Sequence, residues 1–215
     1  MKDNIALNSC VVAVFAKSPL PGKVKTRLGK DIGSRNAVRI YKKMLYTVLS
    51  NITKHKECTV ELWCSPDTKH PFIRACARDF GVILKKQNGK DLGERMYNAF
   101  KQSLRKYDYC VLIGSDIPDI NHEDIRQSGM LIHDNVDVVV LPTDDGGYGL
   151  IATGKRIPTL FSGLTWSTES VLEKTCQKIR KKNYQYQLLD SKMDIDTKKD
   201  LRRYRFYSAK NMSCL

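Results

Sequence analysis

Residues 10–28 have the sequence CVVAVFAKSPLPGKVKTRL, in which a short apolar run leads directly into a loop rich in proline and lysine. A continuous apolar run of this length is typical of a strand that is buried on both faces of a sheet. The segment that follows, 17–30, is predicted to be an exposed loop stiffened by its prolines. In open α/β sheets ligands bind beyond the carboxyl ends of the strands, so this loop is a candidate binding segment.

The rest of the chain alternates between apolar runs and amphipathic stretches. Further strands are predicted at 58–64, 82–84, 109–113, 136–141, 150–152 and 186–189, and helices at 34–53, 70–80, 92–107, 122–133, 168–182 and 197–207. This alternation predicts an α/β fold, a three-layer α/β/α sandwich around a mainly parallel sheet. The Gly-Gly turn after 136–141 allows one antiparallel strand, so the sheet is expected to be mixed. We expect a single domain over 1–215, with a disordered tail at 209–215.

Composition narrows the classes of protein that fit. Lys and Arg number 37 against 23 Asp and Glu, which gives a net charge of +14 and favours ligands that carry phosphate. No zinc-finger spacing or aromatic RNA-binding signature accompanies the charge, which argues against a nucleic-acid partner. No apolar run approaches the roughly 18 residues of a membrane span, so no membrane insertion is expected. The seven cysteines are odd in number and form no C-x-x-C pair, which favours free thiols in a reducing cytoplasm.

The loop after the first strand is the first candidate site. It places four cations within eleven positions, together with a proline and a glycine that shape the turn: Lys17, Lys23, Lys25, Arg27, Pro21 and Gly22. Arginine offers a bidentate fork and lysine a point charge, so the loop suits a pyrophosphate. It lacks the G-x-x-x-x-G-K-[ST] pattern of a P-loop, and a solvated basic loop is the alternative.

Carboxylates in two later segments are candidate metal ligands. Asp116 follows the strand at 109–113, where a hard cation such as Mg²⁺ that holds nucleotide phosphates would satisfy its charge. The alternative for Asp116 is a helix or turn cap, although Asp119 or Asn121 suits that role better. Asp194 and Asp196 share one side of an extended segment, where they supply a second metal carboxylate or merely add charge to the start of a helix.

Three further segments are candidates for binding the substrates. Asp145 is followed by two glycines, so its carboxylate faces a ligand that approaches the backbone, or the segment is an ordinary β-turn. Trp166 offers an apolar face to a sugar ring, or belongs to the core. Arg95, close to the start of a predicted helix, is placed to contact a phosphate or a base edge.

Six strings taken together resemble a known family. They are FAKSPLPGKVKTRL (15–28), LGERM (92–96), LIGSDIPD (112–119), DDGGY (144–148), WST (166–168) and DIDTKKDL (194–201), in the order that the family shows. The chain resembles bacterial glycosyltransferase-like proteins of the radical-SAM-associated or arsenosugar-biosynthesis type. These are related to molybdenum-cofactor and phospholactate nucleotidyltransferases, which share the glycosyltransferase-A fold. The chain departs from that pattern at Gly149, where a second aromatic is usual, at Ala152, and at Lys198 and Lys199.

The resemblance implies a nucleotide-diphospho-sugar transferase fold and a transferase that depends on Mg²⁺ or Mn²⁺. Its substrates would be a nucleotide or nucleotide-sugar and a small-molecule acceptor. Glycosyl transfer is the leading expectation for the reaction. The alternative is nucleotidyl transfer from an NTP with release of pyrophosphate. A further alternative is a non-catalytic nucleotide- or nucleic-acid-binding domain. The expected roles are catalysis by Asp116, Asp145 and Lys25, nucleotide binding by Lys17, Pro21, Gly22, Lys25, Arg27 and Arg95, acceptor binding by Gly146, Gly147, Tyr148 and Trp166, and metal binding by Asp116, Asp194 and Asp196.

Overall fold

A seven-stranded sheet forms the centre of the computed structural model, which describes residues 9–54 and 56–204. The strands are β1 (Cys10–Lys17), β2 (Thr59–Ser65), β3 (Ile83–Lys86), β4 (Tyr109–Gly114), β5 (Val138–Pro142), β6 (Tyr148–Thr153) and β7 (Tyr186–Leu188), in the order β3-β2-β1-β4-β6-β5-β7. In the described chain β6 alone runs antiparallel to its neighbours β4 and β5. The predicted mixed, mainly parallel sheet is therefore confirmed.

Helices cover both faces of this sheet. They are α1 (Thr26–Ile32), α2 (Ser34–Thr53), α3 (Pro71–Phe80), α4 (Leu92–Ser103), α5 (His122–His133) and α6 (Val171–Lys181), and a further helix at 198–204 reaches the end of the described residues. The helices α2, α3 and α5 pack against one buried cluster, and α4 and α6 pack against a second cluster on the opposite face. The predicted three-layer sandwich is confirmed.

The sequence of β1 explains its central position. Val12 and Val14 lie in the cluster under α2, whereas Val11 and Ala13 lie in the cluster under α4. Successive side chains of a strand point to opposite faces, so a strand covered on both sides needs an apolar residue at every position. Each fully buried valine contributes about 1.5–3 kcal/mol to the stability of the fold.

Local predictions are wrong in two places. The segment 17–30 is not loop throughout, because α1 begins at Thr26. Cys10 and Cys58 form a disulfide that joins the start of β1 to the residue before β2, so the expectation of free thiols is wrong for this pair. The other described cysteines, Cys64, Cys76, Cys110 and Cys176, are free and buried. The tail at 209–215 lies outside the described residues, and none of the helices within the described ranges is long and apolar enough to cross a membrane.

Candidate active site

The parallel strands β1, β2, β4 and β5 end at one edge of the sheet, and hydrogen bonds fix the backbone there. Ser18 N donates to Ser65 O over 2.8 Å, which joins the ends of β1 and β2. The hydroxyl of Tyr41, from α2, accepts from Lys17 N at 2.8 Å and donates to Lys17 O at 3.1 Å. It also accepts from Ser115 Oγ at 3.3 Å, and burial raises the pKa of this tyrosine, so the hydroxyl stays protonated. The loops after β1 and β4 are therefore held in a fixed relation.

A buried ammonium group lies between two carboxylates at this edge. Lys25 Nζ lies 2.8 Å from Asp116 Oδ1 and 2.6 Å from Asp196 Oδ1. The Lys25 side chain is 3% exposed, while those of Asp116 and Asp196 are 46% and 39% exposed. Burial lowers the pKa of Lys25, but the two carboxylates raise it by more, so the net shift is upward and the group stays charged. Three segments that are distant in sequence thus meet at one point.

The segment after β7 delivers Asp196 to this point. Leu189 N donates to Val140 O at 2.9 Å, and Lys192 N donates to Pro142 O at 3.1 Å, so the chain follows β5 to its end. Ile195 N then donates to the backbone oxygen of Asp116 at 3.1 Å. This last bond sets the two aspartates on either side of the Lys25 ammonium.

Asp194 adds a third acidic group beside this pair. Burial, and then the negative charges of Asp145 and Asp196, raise the pKa of Asp194 to about 6. In the described part of the chain, no group of three or more His, Cys, Asp or Glu is arranged to hold a metal ion. Two carboxylates nevertheless fit Mg²⁺, which proteins commonly bind through one or two carboxylates together with substrate phosphates. Asp116 and Asp196 offer two such carboxylates, and metal binding by Asp116, Asp194 and Asp196 stays a prediction.

Asp145 is held in a turn by one of its two carboxylate oxygens. Its Oδ1 accepts from Thr143 Oγ1 at 2.6 Å and from Gly147 N at 3.0 Å. Such a side-chain bond to the backbone two residues later is characteristic of an Asx turn. The side chain is exposed. The structure therefore gives Asp145 a turn-forming role, and its role as a base stays a prediction.

Comparison with known proteins places the chain in a family. The model of a family of uncharacterized proteins conserved in bacteria, DUF2064, matches residues 48–168, more than half of the chain. The chain belongs to the DUF2064 family. A provisionally named nucleotide-diphospho-sugar transferase from Desulfovibrio desulfuricans G20 is 30% identical, with a TM-score of 0.79, and the match covers 87% of this chain and 82% of that one. The family resemblance predicted from the six strings is confirmed. No curated protein matches the chain.

More distant structures share the fold of this DUF2064 protein. A cytidylyltransferase from Leptospira borgpetersenii is 16% identical, with a TM-score of 0.61 over 90% of this chain and 83% of that one. A 4-diphosphocytidyl-2C-methyl-D-erythritol synthase from Anaerococcus prevotii is 12% identical, with a TM-score of 0.63 over 94% and 99% of the two chains. The predicted nucleotide-diphospho-sugar transferase fold is confirmed.

The two glycines of the DDGGY string, predicted to bind the acceptor, are packed closely on their Cβ side. Gly146 has a φ of +81°, and a Cβ there would lie 2.1 Å from the backbone oxygen of Glu169. The protein's own backbone fills the space on that side of Gly146, and the acceptor role of both glycines stays a prediction. A Cβ on Gly147 would lie 3.1 Å from Asp145 Oδ1, so this residue is also closed in by its own turn. At Gly149 a Cβ would lie 1.8 Å from Ile117 Cδ1, so any side chain there would require the end of the Ile117 side chain to move.

Substitution of Gly146 by alanine is expected to destabilise the protein far more than the same change at Gly22. Both residues have a left-handed backbone, with φ of +81° and +74°, which costs alanine about 1–2 kcal/mol. Nothing lies within 4 Å of a Cβ on Gly22, whereas at Gly146 the Glu169 backbone must move, so we expect a further loss of about 2 kcal/mol or more. Urea unfolding of Gly146→Ala and Gly22→Ala measures the difference, and equal losses would contradict the packing role.

Trp166 and Tyr148 form one packing unit with the start of α4. Their rings meet edge to face with centroids 6.5 Å apart, and both pack against the buried cluster under α4. A Cβ on Gly93 would lie 3.1 Å from Trp166 Cζ2 and 2.5 Å from Phe161 O, so this glycine allows the close approach. Both aromatic residues are half-buried. Part of the Trp166 ring therefore belongs to the core, which was its alternative role. The acceptor roles of Trp166 and Tyr148 stay predictions.

The remaining residues predicted to bind nucleotide differ in their surroundings. Arg95 Nε donates to Gly89 O at 3.1 Å, and its Nη1 donates to Ser65 Oγ at 3.4 Å, so it supports the loop beside the end of β2. In the loop after β1, Lys25 points inward, which the prediction of an exposed loop missed. The other residues between 17 and 27 that were predicted to bind nucleotide, Lys17, Pro21, Gly22 and Arg27, are exposed.

Two grooves of the protein surface are lined by residues outside the candidate site. One, of about 340 Å³, runs along α6 and is lined by Lys174, Lys178, Lys181 and Lys182, among others. The other, of about 480 Å³, lies beside Lys42 and Phe72. Neither groove is lined by a predicted site residue. The candidate site is instead defined by the charged groups of Lys25, Asp116 and Asp196, which meet at the edge of the sheet.

Proposed function

We propose that this protein is a metal-dependent transferase that transfers a glycosyl group from a nucleotide-sugar to a small acceptor. The observation that carries the proposal is the meeting of Lys25, Asp116 and Asp196 at the carboxyl edge of the sheet. Ligands of open α/β sheets bind at this edge. A cation and two half-exposed carboxylates at one point supply the two signs of charge that a complex of metal and diphosphate needs.

The proposed division of roles follows the position of each side chain. Asp116 and Asp196 would hold Mg²⁺ or Mn²⁺, which neutralises the charge of the leaving diphosphate when it is bound. Lys17, the last residue of β1, and Arg27, in the first turn of α1, are exposed and bind the phosphates. Asp145 accepts a proton from the acceptor hydroxyl.

The exposed part of the half-buried Trp166 ring contacts the acceptor sugar. An aromatic ring that is partly packed in the core and partly at the surface is held rigidly enough to orient a sugar. Gly93 lies against this ring from the protein side.

The choice of glycosyl transfer over nucleotidyl transfer is supported by the relative at 30% identity, which carries the name of a nucleotide-diphospho-sugar transferase. The density of cations in 17–27 favours the second candidate, in which an NTP donates its nucleotidyl group and pyrophosphate leaves. We further infer a bacterial source, which the family's description supports, and a cytoplasmic location, which the four free, buried cysteines favour although the Cys10–Cys58 disulfide does not.

The proposal is tested by thermal unfolding of the protein with a panel of nucleotides and nucleotide-sugars, each with Mg²⁺, Mn²⁺ or chelator. A ligand present at 100 times its Kd adds about 2.7 kcal/mol of stability. We expect nucleotide-sugars to stabilise the protein only with metal, and the best of them to release a nucleoside diphosphate when acceptors are added. Release of pyrophosphate from an NTP would favour nucleotidyl transfer, and a panel without any metal-dependent stabilisation would contradict both.

Replacing Arg27 by alanine is expected to weaken nucleotide binding by about 1.5–3 kcal/mol, the range of a charge-assisted hydrogen bond. The side chain is exposed, so the fold should be unaffected. Arg39→Ala, on the exposed side of α2, removes the same charge and is the matched control. Calorimetric titration of the two variants measures the effect, and equal affinities would remove Arg27 from the site.

A further inference from the structure

We propose that Lys25 is a built-in counter-ion that competes with the metal for Asp116 and Asp196, so that metal and diphosphate bind only together. The inference rests on the proposed function and adds a rule for the order of binding. A divalent cation that binds alone has to displace the Lys25 ammonium from its two carboxylates. A cation that binds together with a diphosphate supplies the displaced ammonium with a new anionic partner, the diphosphate.

The geometry places the ammonium where a bridging cation would bind. Lys25 Nζ contacts Oδ1 of both carboxylates, at 2.8 Å and 2.6 Å. Mg²⁺ binds oxygen at about 2.1 Å, so an ion that bridges the same two oxygens would overlap the ammonium. The two cations therefore exclude each other at this position.

The energetics make the exchange costly without an anion. The Lys25 side chain is 3% exposed, and its charge is compensated by the two aspartates. Displacing the partners of a buried ammonium is unfavourable, because its charge is left uncompensated. A diphosphate gives the displaced ammonium a second anion, which removes most of that cost and couples the two binding events.

The backbone at Lys25 directs its side chain inward. Lys25 precedes α1 with φ of 46° and ψ of 49°, a left-handed conformation that is uncommon for a residue with a side chain. Such a conformation persists when the surrounding contacts over-determine it, and it is concentrated at functional sites. The neighbouring Lys23 is exposed, so the inward position is particular to Lys25.

The test uses Mn²⁺ alone and Mn²⁺ with inorganic pyrophosphate, followed by the electron paramagnetic resonance signal of free Mn²⁺. Lys25→Met keeps a side chain of similar length without the charge, and Lys101→Met, at an exposed position of α4 outside the site, is the matched control. We expect Lys25→Met to bind Mn²⁺ alone at least tenfold more tightly than the wild type or Lys101→Met. Pyrophosphate should tighten Mn²⁺ binding at least tenfold in the wild type and Lys101→Met, and far less in Lys25→Met.

The outcomes separate this inference from the proposed function. If pyrophosphate and Mn²⁺ bind together to the wild type and Lys25→Met gains no affinity for Mn²⁺ alone, the counter-ion role is overturned and the transferase proposal stands. If neither probe binds the wild type or the variants, both are overturned. Circular dichroism in chelator checks folding, and Lys25→Gln, which still donates a hydrogen bond to the carboxylates, replaces Lys25→Met if that variant does not fold.

Discussion

Asp116→Asn is expected to abolish the metal-dependent part of nucleotide binding and to lower turnover by roughly 10³-fold, because metal-ion charge stabilisation contributes several kcal/mol to such reactions. Asparagine keeps the shape of aspartate but lacks the charge that a hard cation requires. The fold should survive, since the side chain is 46% exposed, Lys25 keeps Asp196 as a partner at 2.6 Å, and the bond from Ile195 N goes to the backbone oxygen of Asp116. Titration of nucleotide with and without Mn²⁺, and turnover per folded molecule, measure the two effects.

Asp119→Asn is the matched control for this variant. Asp119 is exposed in the same loop after β4, and its backbone oxygen accepts a hydrogen bond from Lys192 Nζ at 2.9 Å, which the substitution does not remove. The control should therefore retain metal-dependent binding and turnover. An Asp116→Asn protein that binds nucleotide with the metal dependence of the wild type would show that the metal is held elsewhere.

Asp145→Asn is expected to lower turnover by roughly 10²–10⁴-fold, the range for loss of a general base. The carbonyl oxygen of asparagine can still accept from Thr143 Oγ1 and Gly147 N, so the turn should form and the loss of stability should be no more than about 1 kcal/mol. Steady-state kinetics together with urea unfolding separate the catalytic effect from the structural one.

Asp144→Asn serves as the comparison for Asp145→Asn. Asp144 belongs to the same turn but forms an ion pair with Arg203 at 2.8 Å, so its substitution affects the surface and not the proton transfer. If both variants turn over as the wild type does, Asp145 is a turn residue alone. Asp194 then remains as the base candidate, and its pKa of about 6 lies closer to the working pH of an effective base.

The architecture is predictable from this sequence because its local patterns agree with its tertiary contacts. The unbroken apolar run of β1 requires cover on both faces, and the apolar stripe of α2 supplies it on one side with Leu45, Val48 and Leu49. The helix α1 is the exception. It has seven residues, lies beside prolines and glycines, and is held by burial of Leu28 against α2, which is a tertiary and not a local cause.

The site is predictable as a set of residue types but not as a set of contacts. The sequence marks Lys25 as a cation in a loop and Asp196 as an acid near a helix start, yet 171 positions separate the two groups that meet at 2.6 Å. Tyr41 is missed because the apolar stripe of α2 marks it as an ordinary core residue. A glycine at position 146 predicts that another group comes close to the backbone there. Only the structure shows that this group is the backbone of Glu169.

The proposed metal and nucleotide site is tested most directly by a crystal structure with Mn²⁺ and the best-binding nucleotide, in which the anomalous signal locates the ion. We expect the ion to be bound at about 2.1 Å to an oxygen of Asp116 and to one of Asp196. The diphosphate should lie over the segment 17–27, and the Lys25 ammonium should have moved from the carboxylates to a phosphate. An ion more than about 4 Å from every oxygen of both carboxylates, or a nucleotide seated along α6, would contradict the proposed site.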